Sequence, residues 1–138
     1  MISLKNTLEA IKQKISGHEE RITALEEYST DEKVIGTWIN GKPLYRKVIV
    51  STTPSSTGWS DTWYNISSLN IETCVNIGGF FSGSDGRKMT LQWADATAGY
   101  QTVVSIKGNY LSCGLGSSVS GWKNTSITVI LEYTKTTD

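Results

Sequence analysis

The chain has 138 residues, with thirteen Lys/Arg balancing thirteen Asp/Glu, so its formal net charge is zero. That balance argues against a nucleic-acid partner, because phosphate recognition needs a basic face. No apolar run approaches the roughly 18 residues that a membrane span requires, so no membrane insertion is expected.

Met1 to Asn6 lacks a basic segment leading into an apolar core, so no secretory signal is expected. The length leaves room for one domain and a short appendage. Thirteen Gly in Ser/Thr/Asn-rich surroundings point to turns and strands.

The chain opens on a heptad stripe. Leu4, Leu8, Ile11, Ile15, Ile22 and Leu25 alternate at spacings of four and three, with His18 filling the one gap. A 3.5-residue repeat belongs to a left-handed coiled coil, whereas a helix packed on a domain follows 3.6. Ile at both a and d positions favours three or four strands over two. Lys14 and Arg21, at g positions, can face Glu19 and Glu26 at the e positions of a neighbour. The run from Arg21 to Glu26 also resembles the Arg-apolar-x-x-apolar-Glu motif of trimeric coiled coils. The expectation is a homotrimer through residues 1–29, closed by Leu8, Ile11, Ile15, His18, Arg21, Ile22, Leu25 and Glu26. His18 reads as a polar layer that fixes register. That layer would be hydrated or hold an axial anion; a three-His metal layer is the sharper alternative, which imidazole suits, but no carboxylate is placed to orient the rings.

From residue 30 the pattern becomes short strands with turn signals. Val34 to Ile39 and Leu44 to Ser51 predict a hairpin around Asn40-Gly41, since Asn-Gly supplies positive φ. Thr52 to Thr62 reads as a loop and Trp63 to Leu69 as a strand. Ile71, Thr73, Val75 and Ile77 alternate until Gly78-Gly79, read as a turn, and Ser82 to Gly86 reads as another. Met89, Leu91 and Trp93 predict one strand, Tyr100 to Lys107 a second, and Tyr110 to Cys113 a third, ahead of a Gly/Ser loop from Gly114 to Gly121. Ile127, Val129, Leu131 and Tyr133 give the cleanest alternation. The fold class expected is mainly β with an N-terminal α-helix: a trimeric coiled coil followed by an antiparallel, jelly-roll-like β-sandwich over residues 30–138.

The search for chemistry is mostly negative. His18 is the only histidine and falls in the helix, so no His-based triad or Cys-His pair can form in the β region. No phosphate loop, dinucleotide fingerprint or zinc spacing occurs, and no cofactor is expected. Cys74 and Cys113 are expected to be reduced, packed thiols. Asp61, Asp85 and Asp95 are the only carboxylates that suggest a glycan hydrolase, a reaction that needs two. The five Trp are more informative. Trp63 and Trp93 are expected in the core, and Trp38 at the junction with the helix. Trp59, Asp61 and Tyr64, and separately Trp122 and Asn124, set aromatic faces beside polar groups, the combination that binds sugars. These five are the candidate saccharide-binding residues.

The segment Tyr28-Ser29-Thr30-Asp31-Glu32-Lys33-Val34-Ile35-Gly36-Thr37-Trp38-Ile39-Asn40-Gly41-Lys42-Pro43-Leu44-Tyr45-Arg46-Lys47 resembles a junction common in tail fibre and receptor-binding proteins of phages and prophages of Gram-positive hosts. The ending, Val129 to Asp138, is similar to the C-termini of those proteins. The resemblance implies a non-enzymatic trimeric head on a coiled-coil stalk. It would be made in the bacterial cytoplasm and carried on the virion beside other tail or baseplate proteins, attaching to a host cell-surface glycan. Trp38, Gly41, Pro43 and Tyr45 carry the likeness and read as fold residues. A purely structural trimerisation or capping domain is the alternative function, ahead of the hydrolase.

Overall fold

The computed structural model describes residues 3–83, 85–96 and 98–138, with the side chains of Arg21 and of residues 23–26 outside the description. The chain is mainly β with one N-terminal helix. The helix, α1 (Leu4–Glu26), starts where Ser3 Oγ accepts the Asn6 amide at 3.2 Å, a side-chain cap that satisfies one of the helix's open donors. Its stripe residues Leu4, Leu8, Ile11, Ile15 and Ile22 are all exposed in the single chain, and so is His18. The side chains of Arg21, Leu25 and Glu26, expected to complete the trimer contacts, lie outside the described residues.

Among the described residues nine strands follow: β1 (Lys33–Thr37), β2 (Pro43–Thr52), β3 (Gly58–Asn65), β4 (Ile71–Ser82), β5 (Lys88–Thr90), β6 (Trp93–Ala94), β7 (Gln101–Lys107), β8 (Tyr110–Leu115) and β9 (Ser126–Lys135). They build two antiparallel sheets, a five-stranded one in the order β1-β2-β9-β4-β5 and a four-stranded one in the order β3-β8-β7-β6. The pairs β2–β9 and β3–β8 are nested, as the outer pairs of a jelly roll are; further in, β7 pairs with β8 as a hairpin instead.

One core lies between the sheets. The alternation of β9 puts Ile127, Val129, Leu131 and Tyr133 inward, against Ile49 and Phe81 of the same sheet and Val104, Leu111, Cys113 and Leu115 of the other. Each such side chain contributes roughly 1.5–3 kcal/mol through burial. Ile35 and Val48 are buried without joining that core. By register, the outer face of the five-stranded sheet carries the rows Val48–Ile130–Gly78 and Val50–Thr128–Phe80, with Val50 59% and Phe80 46% exposed. The segment after the helix joins β2 here: Ser29 O accepts the Val48 amide at 2.9 Å, and the Arg46 guanidinium sits 4.4 Å from the Tyr28 ring centre.

Five strand expectations need correction. β3 begins at Gly58, so Trp59 and Asp61 lie in a strand rather than in a loop from Thr52 to Thr62. That strand stops at Asn65, and Ser67–Leu69, expected to continue a strand from Trp63, is 3-10 helical. Gly78-Gly79 runs through the middle of β4, not a turn. Gly79 has φ +119, and a Cβ there would come 2.0 Å from Thr128 O, so the glycine permits close approach to β9. Met89 and Trp93 belong to different sheets, because the chain leaves one for the other at Leu91-Gln92. There the Gln92 amide bonds the Val104 carbonyl at 2.6 Å and the Val104 amide at 3.1 Å, standing in for a strand backbone. Finally, β8 continues to Leu115, and the segment Ser117–Trp122 is 3-10 helical rather than an open loop.

Candidate functional site

The two outer faces differ sharply. Where the five-stranded sheet shows Val50 and Phe80, the four-stranded sheet shows one large ring among polar groups. The register aligns Trp59 of β3 with Gly114 of β8 and Val103 of β7. Trp59 is 61% exposed, and its ring lies on Gly114: a Cβ built there would meet ring carbons at 3.2–3.3 Å. The missing side chain at Gly114 is what lets the indole rest on the sheet with its other face open.

One row along, β3 is irregular between Ser60 and Tyr64, and Asp61 faces Ser112 of β8 and Lys107 of β7. Extra residues of this kind commonly re-aim a side chain. Asp61 accepts hydrogen bonds from Lys107 Nζ and, at 2.8 Å, from Ser112 Oγ. Those two bonds, the lysine's first, hold the Asp61 carboxyl below the usual carboxylate range. The group is therefore an ionised acceptor beside an ammonium donor. A general acid needs the opposite shift.

Trp59 lines two grooves of about 360 Å³ each. One continues over Thr57, Gln101, Gly99, Gly116 and Ser117. The other continues over Asp61, Ser105, Lys107 and Ser112. The first is neutral and glycine-floored. Gly116 packs so closely on Gly99 that a Cβ would lie 2.0 Å from Gly99 O. The second carries the ion pair.

Of the five sequence-predicted saccharide residues, the structure brings together Trp59 and Asp61. Tyr64 is half-buried against the core and pairs in register with Leu111. Trp122 is 8% exposed and packs on Phe81 and Trp93, with ring centres 5.1 and 5.3 Å apart. It is a core ring, not a surface platform. Asn124 is exposed but sits at a turn with φ 55, its amide bonded to Pro54 O at 3.2 Å, away from Trp59. Sequence reasoning missed Lys107, Ser112, Gln101 and Gly114. The alternation through Gln101, Val103, Ser105 and Lys107 was the available signal, since it sets all four on one face.

Cys74 and Cys113 are free thiols, and burial pushes Cys113 up to about 11. Asp85 caps its own turn, accepting the Arg87 amide at 3.1 Å. Among the described residues no group of three or more His, Cys, Asp or Glu is placed to hold a metal ion. Comparison with known proteins finds no matching family model, no matching curated protein and no matching solved structure.

Proposed function

We propose that the chain is a trimeric attachment module, the tip of a phage tail fibre or receptor-binding protein, that binds a host cell-surface saccharide through the outer face of its four-stranded sheet. The observation that carries this reading is Trp59, an exposed indole seated on Gly114 beside the Asp61–Lys107 pair. A flat aromatic ring covers the apolar face of a sugar while fixed polar groups take its hydroxyls.

Support for the trimer comes from the opposite side. The heptad stripe of α1 is exposed, and the segment that follows the helix joins β2, on whose sheet Val50 and Phe80 are exposed too. Three helices closing on the stripe would bring three such faces toward one axis. β2 reads Val48-Ile49-Val50 and β4 reads Phe80-Phe81, apolar on both faces, as in strands covered on both sides.

The test is a glycan array and host cell-wall polysaccharide binding with the whole chain and its Trp59→Ala variant. Wild-type binding that is lost in Trp59→Ala at unchanged melting temperature is the expected result. Equal binding by both would remove the reading. Binding by neither would favour a purely structural capping role.

A further inference from the structure

The two grooves share Trp59 as a common wall, and they are distributed along the strand direction. On β8, Ser112 lines one groove and Gly114 carries the indole; Gly116, just past the strand's end and still extended, lines the other. From Ser112 to Gly116 the chain advances ~13 Å. A single sugar ring stacked on Trp59 would leave both grooves unused.

Resting on the saccharide reading above, we infer that this face binds a linear, neutral glycan lengthwise along β8. The middle unit sits on Trp59, one neighbour on the Gln101–Ser117 groove, and the other on the Asp61–Lys107 pair. The pair defines the chemistry of its unit. The ionised Asp61 accepts from one hydroxyl, and the exposed Lys107 ammonium donates to the next, so adjacent ring hydroxyls fit both at once. Because Lys107 is already neutralised by Asp61, the site offers no surplus positive charge to an acidic unit. At the other end the exposed Gln101 amide and the Ser117 and Thr57 hydroxyls offer neutral donors and acceptors over a glycine floor. The sheet is the rigid support, so the track is built before ligand arrives.

The experiment is a length ladder. Glucan, galactan and N-acetylglucosamine oligomers from mono- to pentasaccharide are titrated against the full chain by calorimetry, alongside Trp59→Ala, Gln101→Ala and Lys107→Met. In the series that binds, affinity should rise about tenfold or more from mono- to trisaccharide and then level off. Gln101→Ala and Lys107→Met should each weaken the trisaccharide roughly fivefold, the scale of one lost hydrogen bond, a larger loss than either causes in the monosaccharide. Binding that Trp59→Ala abolishes but that is independent of length, or indifferent to both other substitutions, overturns the lengthwise inference alone. A flat response of every ladder and of cell-wall polysaccharide overturns the saccharide reading and the inference with it.

Discussion

The indole of Trp59 rests on Gly114 of the neighbouring strand, close enough that a Cβ at Gly114 would lie 3.2 Å from the ring. The contact holds an otherwise exposed ring in one orientation. Gly114→Val should therefore tilt the indole off the sheet without disturbing the core, because the added methyls point outward. Strand stability should stay within about 0.5 kcal/mol, since a β-branched residue offsets the strain. Saccharide binding should fall as far as in Trp59→Ala. Thermal melts and array binding of the same preparation check both halves, and unchanged binding would show that the ring's orientation does not matter.

The two tryptophans that looked alike in sequence should behave oppositely on truncation. Trp122 fills space between Phe81 and Trp93, so Trp122→Ala leaves a cavity and should cost about 3–5 kcal/mol. Trp59→Ala removes a ring that is mostly in solvent and should cost less than about 1 kcal/mol. Denaturant midpoints separate these outcomes. Equal midpoints would mean that Trp122 is not the core ring described.

Where alternation was strict, the sequence was easy to read: Ile127, Val129, Leu131 and Tyr133 all face the shared core. The hairpin was legible too, with Gly41 at φ +85, but its turn opens earlier than expected: β1 stops at Thr37, Trp38 O accepts the Gly41 amide, and Pro43 already belongs to β2. Glycine misled the reading at Gly78-Gly79 and Gly114, since the same residue marks a turn or a close approach inside a strand, and only the partner strand decides which. Gly79 is required by Thr128, some fifty positions away in sequence. The Met89–Leu91–Trp93 alternation was genuine but spans a change of sheet, which the Gln92 side chain makes possible by replacing a backbone partner. The site was half legible for the same reason. Trp59 and Asp61 are near neighbours in the chain, but Lys107 and Ser112 reach Asp61 only through the pairing of β3, β8 and β7.

Stability should decline at both ends of the pH scale, for reasons that can be separated. Asp61 is held below the ordinary carboxylate value of about 3.9, so its contribution is present above that value and is lost as pH falls through the folded value. Saccharide binding, which uses the ionised form, should persist through mildly acidic pH and fail only below that range. At the alkaline end, Tyr45 is pushed up to about 12, chiefly by its 2.6 Å hydrogen bond to Asp138. Tyr133 is raised further by burial and by its bond to Glu32. A raised phenol contributes stability in full below its unfolded value, about 10, and loses it as pH rises toward the folded value. Melting temperature should therefore fall from about pH 10 upward. Tyr133→Phe should flatten that fall while lowering stability at neutral pH by about 1 kcal/mol. An equally steep alkaline decline in Tyr133→Phe would exclude Tyr133 as its source.

The exposed stripe on α1 and the exposed Val50 and Phe80 should be covered by the same event. Ile15→Asp places a charge at an a position and should turn a trimer into a monomer, read by light scattering. Val50→Cys, introduced into the otherwise native chain, then reports the sheet face directly. Its alkylation, followed by mass spectrometry at that site, should be about tenfold slower or more in the trimer than in the Ile15→Asp background, as expected for a buried contact opened by about 1.4 kcal/mol or more. Thr57→Cys, in the loop that leads into β3 of the opposite sheet, should react equally in both. A monomeric wild type would remove the trimer. A trimer in which the Cys at position 50 reacts as fast as in the monomer would keep the stalk and turn the five-stranded sheet outward, which would place Phe80 and Val50 in solvent with no partner to cover them.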